Sequence, residues 1–340
     1  MSQHIYVYSP SGAVRDKAAF RRGVKRLQAM GHEVEIDRDA LATDTRFAGD
    51  DATRLAAIHR AAASGADVAL TSRGGYGLTR VLPHIDYKAV ATSAQRGMHW
   101  VGFSDFTALA LAAYAKARAV TWAGPSLCAD LGVPGEPDDI MLACLDDLLV
   151  GQGEGAGWRQ LPVKTDAAGI KAAAPQETAI DKNRRASKNI AIGAYETCAP
   201  ADFAIDNAVL WGGNLSLVVA LLGTPYFPKI EGGVLFLEDV GEHPYRIERM
   251  LTQLLHAGVL GQQKAIVLGQ FTGYELTAHD RGYKLANVVA WLRRQTRVPV
   301  LTNLPMGHVA TKVLLPVGRP VELAVQGRDA LLFWGHGTHD

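Results

Sequence analysis

Met98-His-Trp-Val-Gly-Phe-Ser104-Asp-Phe-Thr-Ala-Leu109 carries an apolar strand pattern through a tight turn into a helical one, with a serine at the apex. A strand that feeds a helix in this way is the repeating unit of a parallel sheet. The same turn has the form of a nucleophile elbow, which lifts a hydroxyl above the sheet and leaves the next N–H at a helix N-terminus, where it can donate to an oxyanion. The residues depart from G-x-S-x-G, because Asp105 and Thr107 follow Ser104 where an early glycine would stand. Taken alone, a helix capped by Ser104 or Asp105 accounts for the stretch more simply.

Outward from this turn, residues 4 to about 150 alternate short apolar or β-branched runs with longer Ala/Leu/Arg segments, the rhythm of βα units. Strands are predicted at 5–8, 34–36, 68–71, 100–101 and 120–122. Helices lie between them, the first closing at Met30-Gly31 and the second opening near Asp51. From Gly151 to about Lys188 the residues Gly, Ala, Lys, Gln and Asp dominate without a sustained apolar period, which reads as a linker or an inserted loop. Beyond it, strands are predicted at 234–237, 265–268 and 298–301, and helices near 215–222, 245–256 and 283–294. Three late apolar runs around Val313, Val321 and Leu331 read as strands with no helix between them. The expected class is α/β: an N-terminal parallel-sheet domain of Rossmann or flavodoxin-like type over 1–150, a linker or insertion over 151–188, and a C-terminal mixed α/β domain over 189–340.

The 340-residue chain is 48% hydrophobic, ample for a large core and for two domains rather than one. Lys and Arg total 35 against 34 Asp and Glu, so no single-sign field invites nucleic acid or an anionic membrane. Cys128, Cys144 and Cys198 are odd in number and too far apart for a C-x-x-C pair, and they read as buried free thiols in a reducing compartment. Met1 to Pro10 shows neither a basic n-region nor a long apolar h-region, and no uncharged apolar run reaches about 18 residues. A cytoplasmic protein without membrane insertion is expected.

Four further segments carry candidate chemistry. Thr71-Ser-Arg-Gly-Gly-Tyr-Gly77 follows a strand, and its glycines let backbone amides approach a ligand. Its spacing is neither that of a phosphate loop nor of a dinucleotide site; it supplies half of an oxyanion hole or merely turns the chain. Leu235-Phe-Leu-Glu238-Asp-Val-Gly-Glu-His-Pro-Tyr-Arg246 ends a buried-looking strand in an acidic loop. Glu238 at a strand's end is positioned to orient a histidine, although compensation of the next helix dipole by Glu238, Asp239 and Glu242 would also explain it. Val298-Pro-Val-Leu-Thr-Asn-Leu-Pro-Met-Gly-His308 presents one of eleven histidines on a loop at the carboxyl end of a strand, where a general base can be delivered. Trp211-Gly-Gly-Asn214 leads into a helix that Asn214 is placed to cap. The tail, Gly335-His-Gly-Thr-His339-Asp340, lacks the positioned third ligand of a specific zinc site.

In this order, S-R-G-G-Y-G, G-F-S-D-F-T-A-L, G-G-N-L-S-L, L-F-L-E-D-V-G-E-H-P-Y-R-I-E-R and N-L-P-M-G-H resemble the LD-carboxypeptidase A family of serine peptidases, also called muramoyltetrapeptide carboxypeptidases. The resemblance implies a Ser104, Glu238, His308 triad assembled across two domains, with the amides of Gly75 and Asp105 as oxyanion donors and no metal or other cofactor. It implies a carboxypeptidase that cuts the L,D-peptide bond before terminal D-alanine in murein tetrapeptides during cell-wall turnover. Arg73, Tyr76, Asn214 and Arg246 are candidates for holding the peptide, and a homodimer is the expected assembly. Two other readings stand beside this one. The first is an immunity-type peptidase of the same family acting on acyl- or peptidyl-nucleotide toxins, which an aromatic such as Trp158 at the cleft would favour. The second is a non-catalytic peptide- or sugar-binding module.

Overall fold

The structure, a computed structural model, describes residues 2–162 and 202–335. Its first five strands are β1 (His4–Tyr8), β2 (Glu33–Ile36), β3 (Val68–Thr71), β4 (His99–Gly102) and β5 (Thr121–Ala123). They lie parallel in the order β5-β4-β3-β1-β2. All of β3 and β5 is buried, as is nearly all of β1 and β4, because helices cover both faces of the sheet. That is why these strands appear in the sequence as unbroken apolar runs rather than alternating ones.

The remaining strands are β6 (Gly155–Arg159), β7 (Phe203–Asn214), β8 (Val234–Val240), β9 (Ala265–Thr272), β10 (Val300–Leu301), β11 (Leu315–Val317), β12 (Pro320–Gln326) and β13 (Asp329–Phe333). Seven of them form a mixed sheet in the order β10-β9-β8-β7-β12-β13-β6. Its parallel half, β7 to β10, holds the long apolar strands β8, buried from Val234 to Asp239, and β9, buried from Ala265 to Gly269. Its antiparallel half alternates buried and exposed positions along β12, β13 and β6, with one face in water. The expected architecture of a parallel N-terminal sheet and a mixed C-terminal one is borne out.

Two features differ from the sequence reading. The stretch read as a linker contains a strand, β6, whose Ala156 and Trp158 point inward while its glycines face out. Two buried side chains separated by glycines are too short a period to stand out from the Gly-rich residues around them. The rest of that stretch, residues 163–201 with Cys198, lies outside the described residues, as does the His-containing tail from 336. The other difference is β11, which leaves the C-terminal part of the chain to pair antiparallel with β5 in the first sheet, Leu315 opposite Ala123 and Val317 opposite Thr121. The helix Phe106–Ala117 is buried from Phe106 through Tyr114. A helix apolar all round belongs inside, and this one packs against β5, β7 and β11, so both sheets close over it. Each of Leu109 and Leu111, fully buried there, stabilises the fold by about 1.5–3 kcal/mol relative to exposure.

Among the described residues no helix is long and apolar enough to cross a membrane. Cys128 and Cys144 are unpaired and half-buried. Burial pushes the Cys128 thiol up to about 11 and raises that of Cys144.

Candidate active site

The elbow forms where β4 ends at Gly102 and the helix Phe106–Ala117 begins. Ser104 sits at its apex with φ +64°, in the left-handed region. A non-glycine residue there costs on the order of 1–3 kcal/mol and persists only when its surroundings enforce it. The enforcement is visible on two sides. Gly74 lies so close that a Cβ there would stand 2.8 Å from Ser104 Cβ and 2.9 Å from its Oγ. Gly102 is equally confined, a Cβ there falling 2.6 Å from Thr71 Oγ1 and 2.8 Å from the Phe106 ring.

Asp105 turns its side chain away from the serine into the core, fully buried. Its Oδ2 accepts from the Leu78 N–H at 2.9 Å and from the Ser11 hydroxyl, while Oδ1 has no partner among the described residues. Burial raises its carboxyl above the ordinary range, with those hydrogen bonds and the charges of Arg54 and Arg46 opposing. The side chain thus ties the elbow to the residue after the glycine loop, and the backbone amide stays at the start of the helix. Neither the Asp105 nor the Gly75 N–H has an acceptor among the described residues. Gly75 has φ +121° and is stacked on Gly12, 3.3 Å from its Cα to a built Cβ; a side chain would separate these loops.

Glu238 and His308 come from the second sheet. Glu238 lies near the carboxyl end of β8, opposite Asn214 of β7, and is 1% exposed. Its Oε2 lies 2.8 Å from His308 Nδ1, and its Oε1 has no partner among the described residues. His308 follows β10 on a loop laid onto β9: the Gln270 N–H donates to Met306 O at 2.9 Å, and the Gln270 amide nitrogen donates to Asn303 Oδ1 and Leu304 O, each at 3.1 Å. Gly307, at φ +141°, passes so near that a Cβ would lie 2.8 Å from Gln270 O and 3.3 Å from Glu238 Cβ. Gly269 makes room in the same way for Met306 O, 2.5 Å from its built Cβ. Two glycines therefore let the histidine loop rest on the glutamate.

The lobes meet here. The His308 ring packs against Phe103, the residue before the serine, with centroids 4.9 Å apart. Ser104 and Glu238 line one small cavity with Phe103, Thr107, Gly213 and Met306. The Ser104 hydroxyl has no hydrogen-bond partner among the described residues; in ligand-free active sites such contacts are often long and tighten with substrate. An acid, an imidazole and a half-buried, unpaired hydroxyl so arranged can perform nucleophilic acyl transfer. Among the described residues no three His, Cys, Asp or Glu side chains gather as metal ligands.

The other four candidates are distributed unevenly. Arg73 borders the glycine loop, half-buried, donating from Nη1 to Ala13 O at 2.8 Å, with Nη2 3.8 Å from a built Cβ on Gly75. Burial lowers its pKa, and the neighbouring charges of Arg15 and Arg46 lower it further. Tyr76 is exposed, its ring near Phe47 and under the Arg46 guanidinium. Asn214 is buried and already engaged: it accepts from Leu217 N as the cap of the helix Leu215–Leu221 and donates to Asp239 Oδ1 at 2.9 Å. Arg246 is exposed and held by its neighbours, 3.7 Å from Glu242 and 3.1 Å from the Tyr245 hydroxyl. Trp158 is not a cleft aromatic. It is 8% exposed, faces inward from β6, and donates from Nε1 to Thr302 O at 3.0 Å. Sequence reading missed Gln270 and Gly269, whose role depends on a contact between two loops far apart in the chain.

Comparison with known proteins gives two family matches: the LD-carboxypeptidase N-terminal domain over residues 5–124 and the LD-carboxypeptidase C-terminal domain over 207–323. A crystal structure of muramoyltetrapeptide carboxypeptidase from Oxalobacter formigenes is 32% identical, with a TM-score of 0.79 over 98% of this chain and all of that one. The murein tetrapeptide carboxypeptidase of Pseudomonas aeruginosa is 27% identical over 88% of this chain and 86% of its own. The microcin C7 self-immunity protein MccF of Escherichia coli is 26% identical over 93% of this chain and 88% of its own.

Proposed function

Because this chain belongs to the LD-carboxypeptidase family of serine peptidases, we propose that it removes terminal D-alanine from murein tetrapeptides by cutting the L,D-peptide bond, with Ser104, His308 and Glu238 as its triad. The observation that carries this reading is the 2.8 Å Glu238–His308 pair reaching from the second sheet to the turn that bears Ser104.

In the proposed reaction Ser104 Oγ attacks the carbonyl carbon of the penultimate residue while His308 Nε2 takes the hydroxyl proton. Glu238 accepts from Nδ1–H, which fixes the tautomer and stabilises the imidazolium. The oxyanion receives the N–H groups of Gly75 and Asp105. Collapse of the tetrahedral intermediate breaks the C–N bond, the leaving amine takes the proton from His308, and D-alanine departs. Water then attacks the Ser104 ester with His308 as base, and the carboxylate product leaves as Ser104 regains its proton. Arg73, at the rim of the glycine loop and with other guanidinium groups for neighbours, is proposed to receive the substrate's terminal carboxylate, since a planar guanidinium matches it bidentately.

The decisive substrates are a tetrapeptide ending in an L-centre followed by D-alanine and its epimer at the penultimate centre. Release of D-alanine from the first alone supports the proposal; equal release from both, or from neither, contradicts it. Cleavage of an acyl-sulfamoyl nucleoside in preference to the tetrapeptide would move the assignment to the immunity type, for which the buried Trp158 provides no cleft aromatic.

A further inference from the structure

Lys312 carries an ammonium that is only 1% exposed, four residues beyond His308. Its Nζ lies 2.5 Å from Asp130 Oδ1, and Asp130 is itself buried, with Oδ2 accepting from the Ser126 N–H at 2.8 Å. The two partners come from opposite lobes, Asp130 from the segment after β5 and Lys312 from the strip between His308 and β11. The same ammonium stands 4.0 Å from the centroid of the Phe103 ring. Phe103 precedes the nucleophile and packs its ring on His308 at 4.9 Å. One side chain therefore touches the residue that carries Ser104 into its strained turn and sits on the same short strip as the base.

Burying an ion pair is a poor way to gain stability, because desolvation of both charges offsets most of their attraction. The strip is also joined to the first lobe without this pair, through Thr311 Oγ1 to Asp138 Oδ2 at 2.5 Å and through β11 on β5. What the pair adds is registry. Its ammonium and the His308 imidazole both lie against the ring of Phe103, the residue before the nucleophile, so the pair bears on the alignment of serine and base, to which proton transfer is steeply sensitive.

We propose that Lys312, anchored by Asp130, is a positioning residue for the Ser104–His308 proton transfer, acting through Phe103. This rests on the triad reading above. The test compares wild type with the double variant Lys312→Met, Asp130→Asn, which removes both charges, keeps the stem on Phe103 and leaves an acceptor for Ser126. The expected result is a kcat at least about tenfold lower with KM within about threefold and a retained cooperative melt, and a parallel slowing of fluorophosphonate labelling at Ser104. A purely structural pair would shift the melt and leave kcat unchanged well below the melting temperature, and that result overturns the proposal. Should the double variant not fold, Phe103→Leu keeps the ion pair and removes the bridging ring; undiminished kcat in it overturns the proposal equally. Ser104→Ala is run alongside. Activity retained there would refute the nucleophile assignment, whereas an inactive Ser104→Ala beside a fully active Lys312 variant refutes only the positioning role.

Discussion

Glu238→Gln separates charge from shape at the heart of the site. The side chain is 1% exposed and meets His308 through one oxygen at 2.8 Å, while its second oxygen has no partner among the described residues. A hydrogen bond to an ionised group contributes about 1.5–3 kcal/mol and a neutral one about 0.5–1.5. Loss of charge therefore weakens the hold on the imidazolium by about 1–2 kcal/mol, a roughly 5–30-fold slower step. A larger effect follows from orientation. With no donor at the second position, nothing keeps the amide oxygen toward the ring, and an NH2 turned to Nδ1 leaves the proton on Nε2, where it blocks the base. Wrong-tautomer triads lose about 10⁴ in kcat, so the expected fall in kcat/KM is about 10³–10⁴, most of it in kcat. Stability should move the other way, with a melting midpoint equal to or above that of wild type, because the variant no longer buries a half-satisfied carboxylate. D-alanine release and thermal melts on one preparation read both. A loss below about tenfold in a fully folded variant would refute the orienting role. So would a lower melting midpoint accompanied by a proportionate loss of active protein.

Three other outcomes follow from the packing. Gly74→Ala sets a methyl 2.8–2.9 Å from Ser104 Cβ and Oγ; a displacement of about 1 Å at the nucleophile costs about 10²-fold, so kcat should fall by that order while circular dichroism is unchanged, and wild-type kcat would contradict the contact. Cys128, held at about 11 against an ordinary 9.0, is about 0.1% thiolate at pH 8 rather than about 10%, so alkylation by iodoacetamide in the folded protein should be about 100-fold slower than in urea; equal rates would contradict its burial. Asp37 is buried, which alone would raise its carboxyl, but hydrogen bonds from Arg60 and Tyr6 outweigh that and hold it below 3.8. Its contribution is full above the unfolded value and is lost as pH falls through the depressed folded one. The stability read from urea melts should fall with acid between pH 5 and about pH 2 more steeply in wild type than in Asp37→Asn, and identical dependence on pH would refute the linkage.

The parallel strands were legible because burial on both faces writes them as continuous apolar runs, and the elbow because its strand and helix meet at one serine. The expected positions of the late strands also held, yet the sheet joined by β11 did not show in its own residues: Leu315, Pro316 and Val317 would suit either sheet, and only the pairing with β5 decides. Strand β7 was half-legible. Its first half alternates as an antiparallel strand and its second half is buried as a parallel one, so no single period spans Phe203–Asn214, and only the Trp211-Gly-Gly-Asn214 end stands out. Buried charge was the least legible feature. Arg54 and Lys312 look like surface residues in the chain, and their burial depends on partners 23 and 182 residues away, the Gly77 carbonyl and Asp130. At the site, Ser104, Glu238 and His308 each had a simpler local explanation, and they gained a shared one through the order of motifs. The glycines that let the His308 loop lie on Glu238 had no local signal beyond being glycine.

The most direct measurement is covalent: reaction of the protein with a fluorophosphonate, followed by peptide mapping of the adduct. Stoichiometric phosphonylation of Ser104, abolished in Ser104→Ala and strongly slowed in His308→Ala, is the result expected of a hydroxyl activated by that imidazole. Absence of any adduct, or an adduct on another side chain that persists in Ser104→Ala, would contradict it.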